Sequence, residues 1–100
     1  MASNSQARLE RGILAGRFAL ARKDFAGARN IFEKTINRFP TAVWPRLFLS
    51  QALLQGSKDR AAAEQALREV LDIDPNNRDA RKNLEILLKR PSSPSRGKRP

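Results

Sequence analysis

Residues 28–40 read ARNIFEKTINRFP and residues 63–75 read AEQALREVLDIDP. Each stretch sets a small residue, Ala28 or Ala63, four positions before a large apolar one, Phe32 or Leu67. Each closes on a proline eight positions later, Pro40 or Pro75. Four residues are about one helical turn, so the small and the large side chain stack on one face. The small residue lets a neighbouring helix approach, and the large one then locks it. Proline lacks the N–H that a continuing helix needs, so it ends the helix and turns the chain into the next element. The two prolines are 35 residues apart, which marks an internal repeat.

Working outward, the body from residue 5 to 90 has no strand signal. Alternating β-branched runs are missing, and Ala, Leu, Arg, Glu and Gln dominate. Punctuation divides it into five helices. The first spans Ser5 to Arg22, with Leu9, Ile13 and Leu20 apolar. Asp24 caps the second, whose inner face is Ala28, Phe32, Ile36 and Phe39. Thr41 is the expected cap of the third, which carries Val43, Trp44, Leu47, Phe48, Leu53 and Leu54. That helix is apolar around most of its circumference, so a central, buried place is expected. Gly56 is the expected left-handed residue just past its end. Asp59 caps the fourth helix, with Ala63, Leu67, Val70 and Leu71 inward. Asn76 and Asp79 read as a capping box for the fifth, with Ala80, Leu84, Leu87 and Leu88 inward. Pro91 ends that helix at Arg90. Residues 91–100 hold three Pro, three Ser, one Gly and three basic residues, a composition with nothing to bury. They read as a disordered basic tail.

This pattern resembles the tetratricopeptide repeat, a helix–turn–helix unit of 34 residues. In the first unit the family's pattern falls on Gly12, Ala15, Gly16 and Ala19, then Ala28, Phe32 and Pro40. In the second it falls on Ala63, Leu67 and Asp74-Pro75-Asn76-Asn77. Two registers are open for the third helix: Trp44 and Leu47 at the family's Trp and Leu with about three residues inserted, or a start at Leu47. The run Phe39-Pro40-Thr41-Ala42-Val43-Trp44-Pro45-Arg46 is further similar to repeat segments attached to bacterial glycosyltransferases. The resemblance implies an all-α fold, a short right-handed superhelical array of antiparallel helix pairs (an α-solenoid). Two units and a C-terminal solvating helix fill residues 5–90.

The same resemblance implies function. First helices of such units line a concave groove that holds a peptide or partner helix. By register, that groove takes Glu10, Ile13, Arg17 and Leu20 from the first helix. Phe48 and Ala52 come from the third, and Lys82 and Ile86 from the fifth. The mixture suits a segment with apolar anchors and some acidic groups. Ile13 and Arg17 occupy positions where the family's clamp for a C-terminal carboxylate needs Lys and Asn, so that mode is not expected. Arrays of this kind need about three or more units for mutual burial. With Leu9, Leu14 and Phe18 on the outer face of the first helix, self-association into a homo-oligomer is expected.

Composition supports binding over chemistry. The 100 residues carry no Cys, His or Tyr. Thiol and imidazole nucleophiles, an imidazole base and the usual zinc ligands are therefore absent, and no enzyme activity or cofactor is expected. No apolar run approaches the ~20 residues of a membrane span, and no signal peptide is recognisable, so the expected setting is the cytoplasm. The net charge of +10 is uneven. Residues 1–40 carry +5, residues 41–75 carry −1 and residues 76–100 carry +6. Arg78, Arg81, Lys82, Lys89 and Arg90 form a basic patch on the fifth helix, fit for an acidic protein. Nucleic acid is the second reading of that patch; it lacks the interleaved aromatics of base-stacking proteins. Gly12 and Gly16 form a GxxxG flanked by Arg8, Arg11 and Arg17, which in water serves close helix packing rather than membrane pairing. Phe25, Phe32 and Phe39 read as core.

Overall fold

The computed structural model describes residues 2–89. The expected residues Arg90 and 91–100 lie outside that range. The chain forms helices α1 (Ala2–Ala21), α2 (Phe25–Arg38), α3 (Trp44–Ala52), α4 (Arg60–Ile73) and α5 (Arg78–Lys89). A π-helical turn, Leu53–Ser57, continues α3. No strand occurs among the described residues. Consecutive helices pack on one another, and α1 also meets α3. Gly12 lies against Thr35 and Gly16 against Phe32, so α1 and α2 run antiparallel. Arg60 reaching the Leu87 carbonyl sets α4 and α5 antiparallel in the same way. The arrangement is compatible with a solenoid-like array.

The 35-residue repeat recurs in hydrogen-bond detail. Lys23 (φ 63°) and Lys58 (φ 56°) are both left-handed. Each precedes an aspartate cap: Asp24 accepts from the Gly27 N–H at 3.0 Å and Asp59 from the Ala62 N–H at 3.0 Å. At the far ends of α2 and α4, the Phe39 and Asp74 N–H groups donate to the Thr35 and Val70 carbonyls. Beyond each proline an arginine folds back. Arg46 Nη1 donates to the Pro40 carbonyl at 2.6 Å, and Arg81 Nη2 to the Pro75 carbonyl at 3.2 Å. All these pairs are 35 residues apart.

One feature breaks the equivalence. The Asp24 N–H donates to the Ala19 carbonyl, but the Asp59 N–H donates to the Leu53 carbonyl, one residue further back. The π turn holds that extra residue. Before it the units differ by 34: buried Gly16 and Ala19 match buried Ser50 and Leu53. The third helix therefore takes a register with one inserted residue, between the two that the sequence leaves open.

Several expected details are corrected. Gly56 is helical, and Lys58 takes the left-handed position, because the π turn prolongs α3. Gly56 serves proximity instead, since a Cβ there would overlap that of Phe25. Val43, not Thr41, is the cap residue of α3, and it makes no side-chain cap bond. Pro45 in the first turn removes one of the N–H groups that would need a partner. Asn77, not Asn76, caps α5, accepting from the Ala80 N–H at 2.8 Å. Leu88, expected inward, is 54 % exposed. Phe25 and Phe39 are only half-buried. The first helix begins at Ala2, earlier than expected.

Two apolar clusters share α3. Ala19, Ala28, Phe32 and Ala52 form one, with Leu20, Ile31 and Phe48 at its edge. Leu47, Leu53, Ala63, Leu67, Val70, Ala80, Leu84 and Leu87 form the other. Leu49 packs against both. Ala28 with Phe32 and Ala63 with Leu67, the repeated small–large pairs, are all fully buried. The central place expected of the third helix is thus observed. A left-handed L-residue costs about 1–2 kcal/mol, while glycine adds unfolded-chain entropy of about 0.5–1 kcal/mol. Lys58→Gly is therefore expected to stabilise the fold by roughly 0.5–1 kcal/mol, read as a raised midpoint in urea denaturation.

Candidate functional site

A concavity of about 820 Å³ lies between α3 and α5. Its α3 wall carries Trp44, Phe48, Gln51 and Gln55, spaced four, three and four along one helical face. Its α5 wall carries Asp79, Asn83 and Ile86, with the same helical spacing. Leu47, Ser50, Leu54 and Leu87 also line it, and Lys58 and Arg60 bring positive charge.

An aromatic series links this groove to the core. Phe32 is fully buried and stacks on Phe48, ring centroids 5.8 Å apart. Phe48 stacks on Trp44 at 5.8 Å, and Trp44 is 52 % exposed. The Arg17 guanidinium of α1 sits 5.2 Å over the Phe48 ring, a cation–π contact. Offset aromatic contacts hold ring orientation as well as apolar area. Trp44 is thereby held at the groove wall rather than folded into the core.

Arg46 fixes the start of α3. Its guanidinium grips the Pro40 carbonyl and pairs with Glu69 of α4 at 3.2 Å. The arginine side chain is only 13 % exposed, so one cation joins the loop, α3 and α4 in a partly dry setting. Arg60 similarly ties the start of α4 to the end of α5 through the Leu87 carbonyl, at 2.7 Å.

The expected groove residues divide. Phe48 and Ile86 line the groove, and Arg17 reaches Phe48. Leu20 and Ile13 are half-buried on α1, Leu20 against the core. Glu10 is exposed and accepts from Gln6 at 3.1 Å, outside the groove lining. Ala52, expected on the surface, is 2 % exposed in the first cluster, because the helix turns its small face toward α2. Lys82 lies instead in a separate cleft with Arg78, Arg81 and Glu85. Trp44, Gln51, Gln55, Asp79 and Asn83 were not among the expected groove residues. Their signal was the helical spacing, visible once α3 and α5 are set side by side.

The basic patch is partly neutralised. Glu85 shares the cleft with Arg78, Arg81 and Lys82, and pairs with Lys89 at 3.4 Å. A second cationic group was not anticipated. Arg8 and Arg11 of α1 meet Lys34 and Arg38 of α2 around a depression of about 220 Å³, with Thr35 and Phe39. The antiparallel Gly12–Thr35 approach brings them together.

Among the described residues, no three metal-ligating side chains gather, and no helix is long and apolar enough to cross a membrane. Compared with protein-family models, with curated proteins and with solved structures, the chain matches none of them.

Charge-assisted hydrogen bonds in partly buried settings contribute about 1.5–3 kcal/mol. Arg46→Ala is expected to lower stability by about 1–3 kcal/mol, measured by chemical denaturation, with Glu69→Gln costing less because the Pro40 contact survives.

Proposed function

We propose that the chain is a non-catalytic protein-interaction module that grips a short segment of a partner in the α3–α5 groove. The observation that carries this reading is the exposure of two large apolar side chains lining one groove, Trp44 at 52 % and Ile86 at 46 %. Exposed apolar side chains with a polar rim are how docking sites present themselves. Gln51, Gln55 and Asn83 supply the rim, and Lys58 and Arg60, with Arg17 over Phe48, outnumber Asp79 and bias it toward a partner with acidic groups. The carboxylates support binding over catalysis. Asp24 and Asp59 cap helices, Asp74 accepts from Asn77, and Glu33, Glu64, Glu69 and Glu85 sit in ion pairs.

The matched turns and the 34- and 35-residue spacings support the likeness to tetratricopeptide units, arranged as a right-handed array. In this reading the module works in the cytoplasm, as a scaffold part of a larger bacterial assembly. Selection of short phage-displayed peptides on the full chain tests it. Enriched peptides are expected to share two apolar anchors and an acidic residue, and to shift the emission of Trp44, the single tryptophan. Ile86→Asp should weaken them by at least about tenfold, the scale of an interface anchor. Selected peptides that bind Ile86→Asp equally well and leave Trp44 emission unmoved would remove the reading.

Self-association belongs to the same proposal. Leu14 and Phe18 on α1 are 61 % and 64 % exposed, on the side of the helix turned from α2, while Leu9 is half-buried. A second copy covering this end would bury both. Sedimentation equilibrium is expected to show a concentration-dependent dimer that Phe18→Glu abolishes; a wild-type monomer at high concentration would refute it.

A further inference from the structure

We infer that Arg8, Arg11, Lys34 and Arg38 form a binding site for the phosphate backbone of nucleic acid, independent of base sequence. Elsewhere on this surface, several charges one turn apart are matched, Arg29 with Glu33, Glu64 with Arg68 and Glu85 with Lys89, and the like charges Arg78, Arg81 and Lys82 of α5 share their cleft with Glu85. Around this depression they are not. Arg8 and Arg11 are like charges three apart on α1, and Lys34 and Arg38 are like charges four apart on α2. Like pairs at those spacings repel. The α1–α2 packing then sets the two pairs against each other around one depression.

No carboxylate lines that depression, and none of the four cations has an ion-pair partner among the described residues. The fold thus holds a cluster of like charges that no carboxylate pairs with among the described residues. A local rule broken without a compensating contact is the mark of a site rather than of packing.

The occupant follows from charge density and shape. Four cations on two adjacent helices need an anion whose own charges lie equally close. Duplex nucleic acid carries one charge per ~1.7 Å of its axis, far denser than an ordinary acidic peptide. Three of the four cations are arginines, whose planar forks bind phosphate oxygens in pairs. The depression, about 220 Å³, is small, and the single aromatic lining it, Phe39, is half-buried. It therefore suits backbone contact rather than base stacking. Arg8 and Arg17 are nine residues apart, two and a half turns, so the site faces away from the side of α1 that carries Arg17 toward Phe48. It is separate from the groove, and peptide binding there stands or falls independently.

Fluorescence anisotropy of the full chain with a labelled duplex of about 20 base pairs, across a salt series, tests the proposal. Four phosphate contacts predict a slope of log affinity against log salt of roughly −3 to −4. In R8Q/K34Q the slope should fall by about 2 units, with affinity at low salt reduced by at least about tenfold. Its thermal midpoint should be unchanged or raised, since a repulsive pair is relieved on each helix. R11Q/R38Q, altered on the other member of each pair, should show the same loss. R78Q/K82Q, on α5, should change affinity by less than about threefold. Wild-type affinity in folded R8Q/K34Q and R11Q/R38Q would overturn the proposal. An equal loss in R78Q/K82Q would overturn it too, since binding would then track net charge alone. Equal competition by poly-L-glutamate would reassign the site to acidic proteins and overturn it likewise.

Discussion

The Phe32 ring occupies the space that a Cβ on Gly16 would fill. Everything at the groove wall is built outward from that contact. Because α1 carries no side chain at residue 16, the ring can lie fully buried between α1 and α3. Its far side then receives Phe48, and Phe48 in turn receives Arg17 from one helix and Trp44 from its own. A bulkier residue 16 would push the ring toward α3 and disturb the whole series, in a core that has no slack to absorb it. The exposure of Trp44 is in this sense decided on a different helix, 28 positions earlier.

The two clusters share α3, with Leu49 packed against both. Each alone is small, and a small cluster is a weak source of stability. Sharing a helix lets both contribute to one unit. The ends lack such a neighbour. At α1 the consequence is exposed Leu14 and Phe18; at α5 it is a largely polar helix on which Leu88 is left in solvent and Ile86 faces the groove. The charge follows the same geography. Most carboxylates are used in caps and pairs, so the charge left over on α1, α2 and α5 is positive.

Fold class and helix count could be read from residue types because the deciding signals are local. A proline eight residues past a large apolar side chain ends a helix regardless of what surrounds it. Asp24 and Asp59 cap because a short carboxylate reaches its own third N–H. The errors arose where tertiary contact overrode local preference. Gly56 looked like a terminal glycine, yet what required it was the approach of Phe25. Ala52 reads as a groove residue by register, yet the packing of α3 against α2 buries it. The groove was half anticipated: Phe48 and Ile86 were expected, but the walls are set by which faces of α3 and α5 meet, and that depends on the π turn. The cluster of Arg8, Arg11, Lys34 and Arg38 is spread over 31 residues of sequence and becomes one object only when two helices are laid antiparallel.

The arginine clasps on Pro40 and Pro75 have a consequence for how such a chain can grow. Each proline leaves its helix in the same geometry, and each is met by an arginine six residues on. The clasp after residue 40 and the clasp after residue 75 are therefore alike, while the helix starts beyond them differ, Val43 opening α3 without a side-chain bond and Asn77 capping α5. Residues 41–75 thus run from one clasped proline to the next, so a tandem copy of that segment would bring its own arginine to the proline before it.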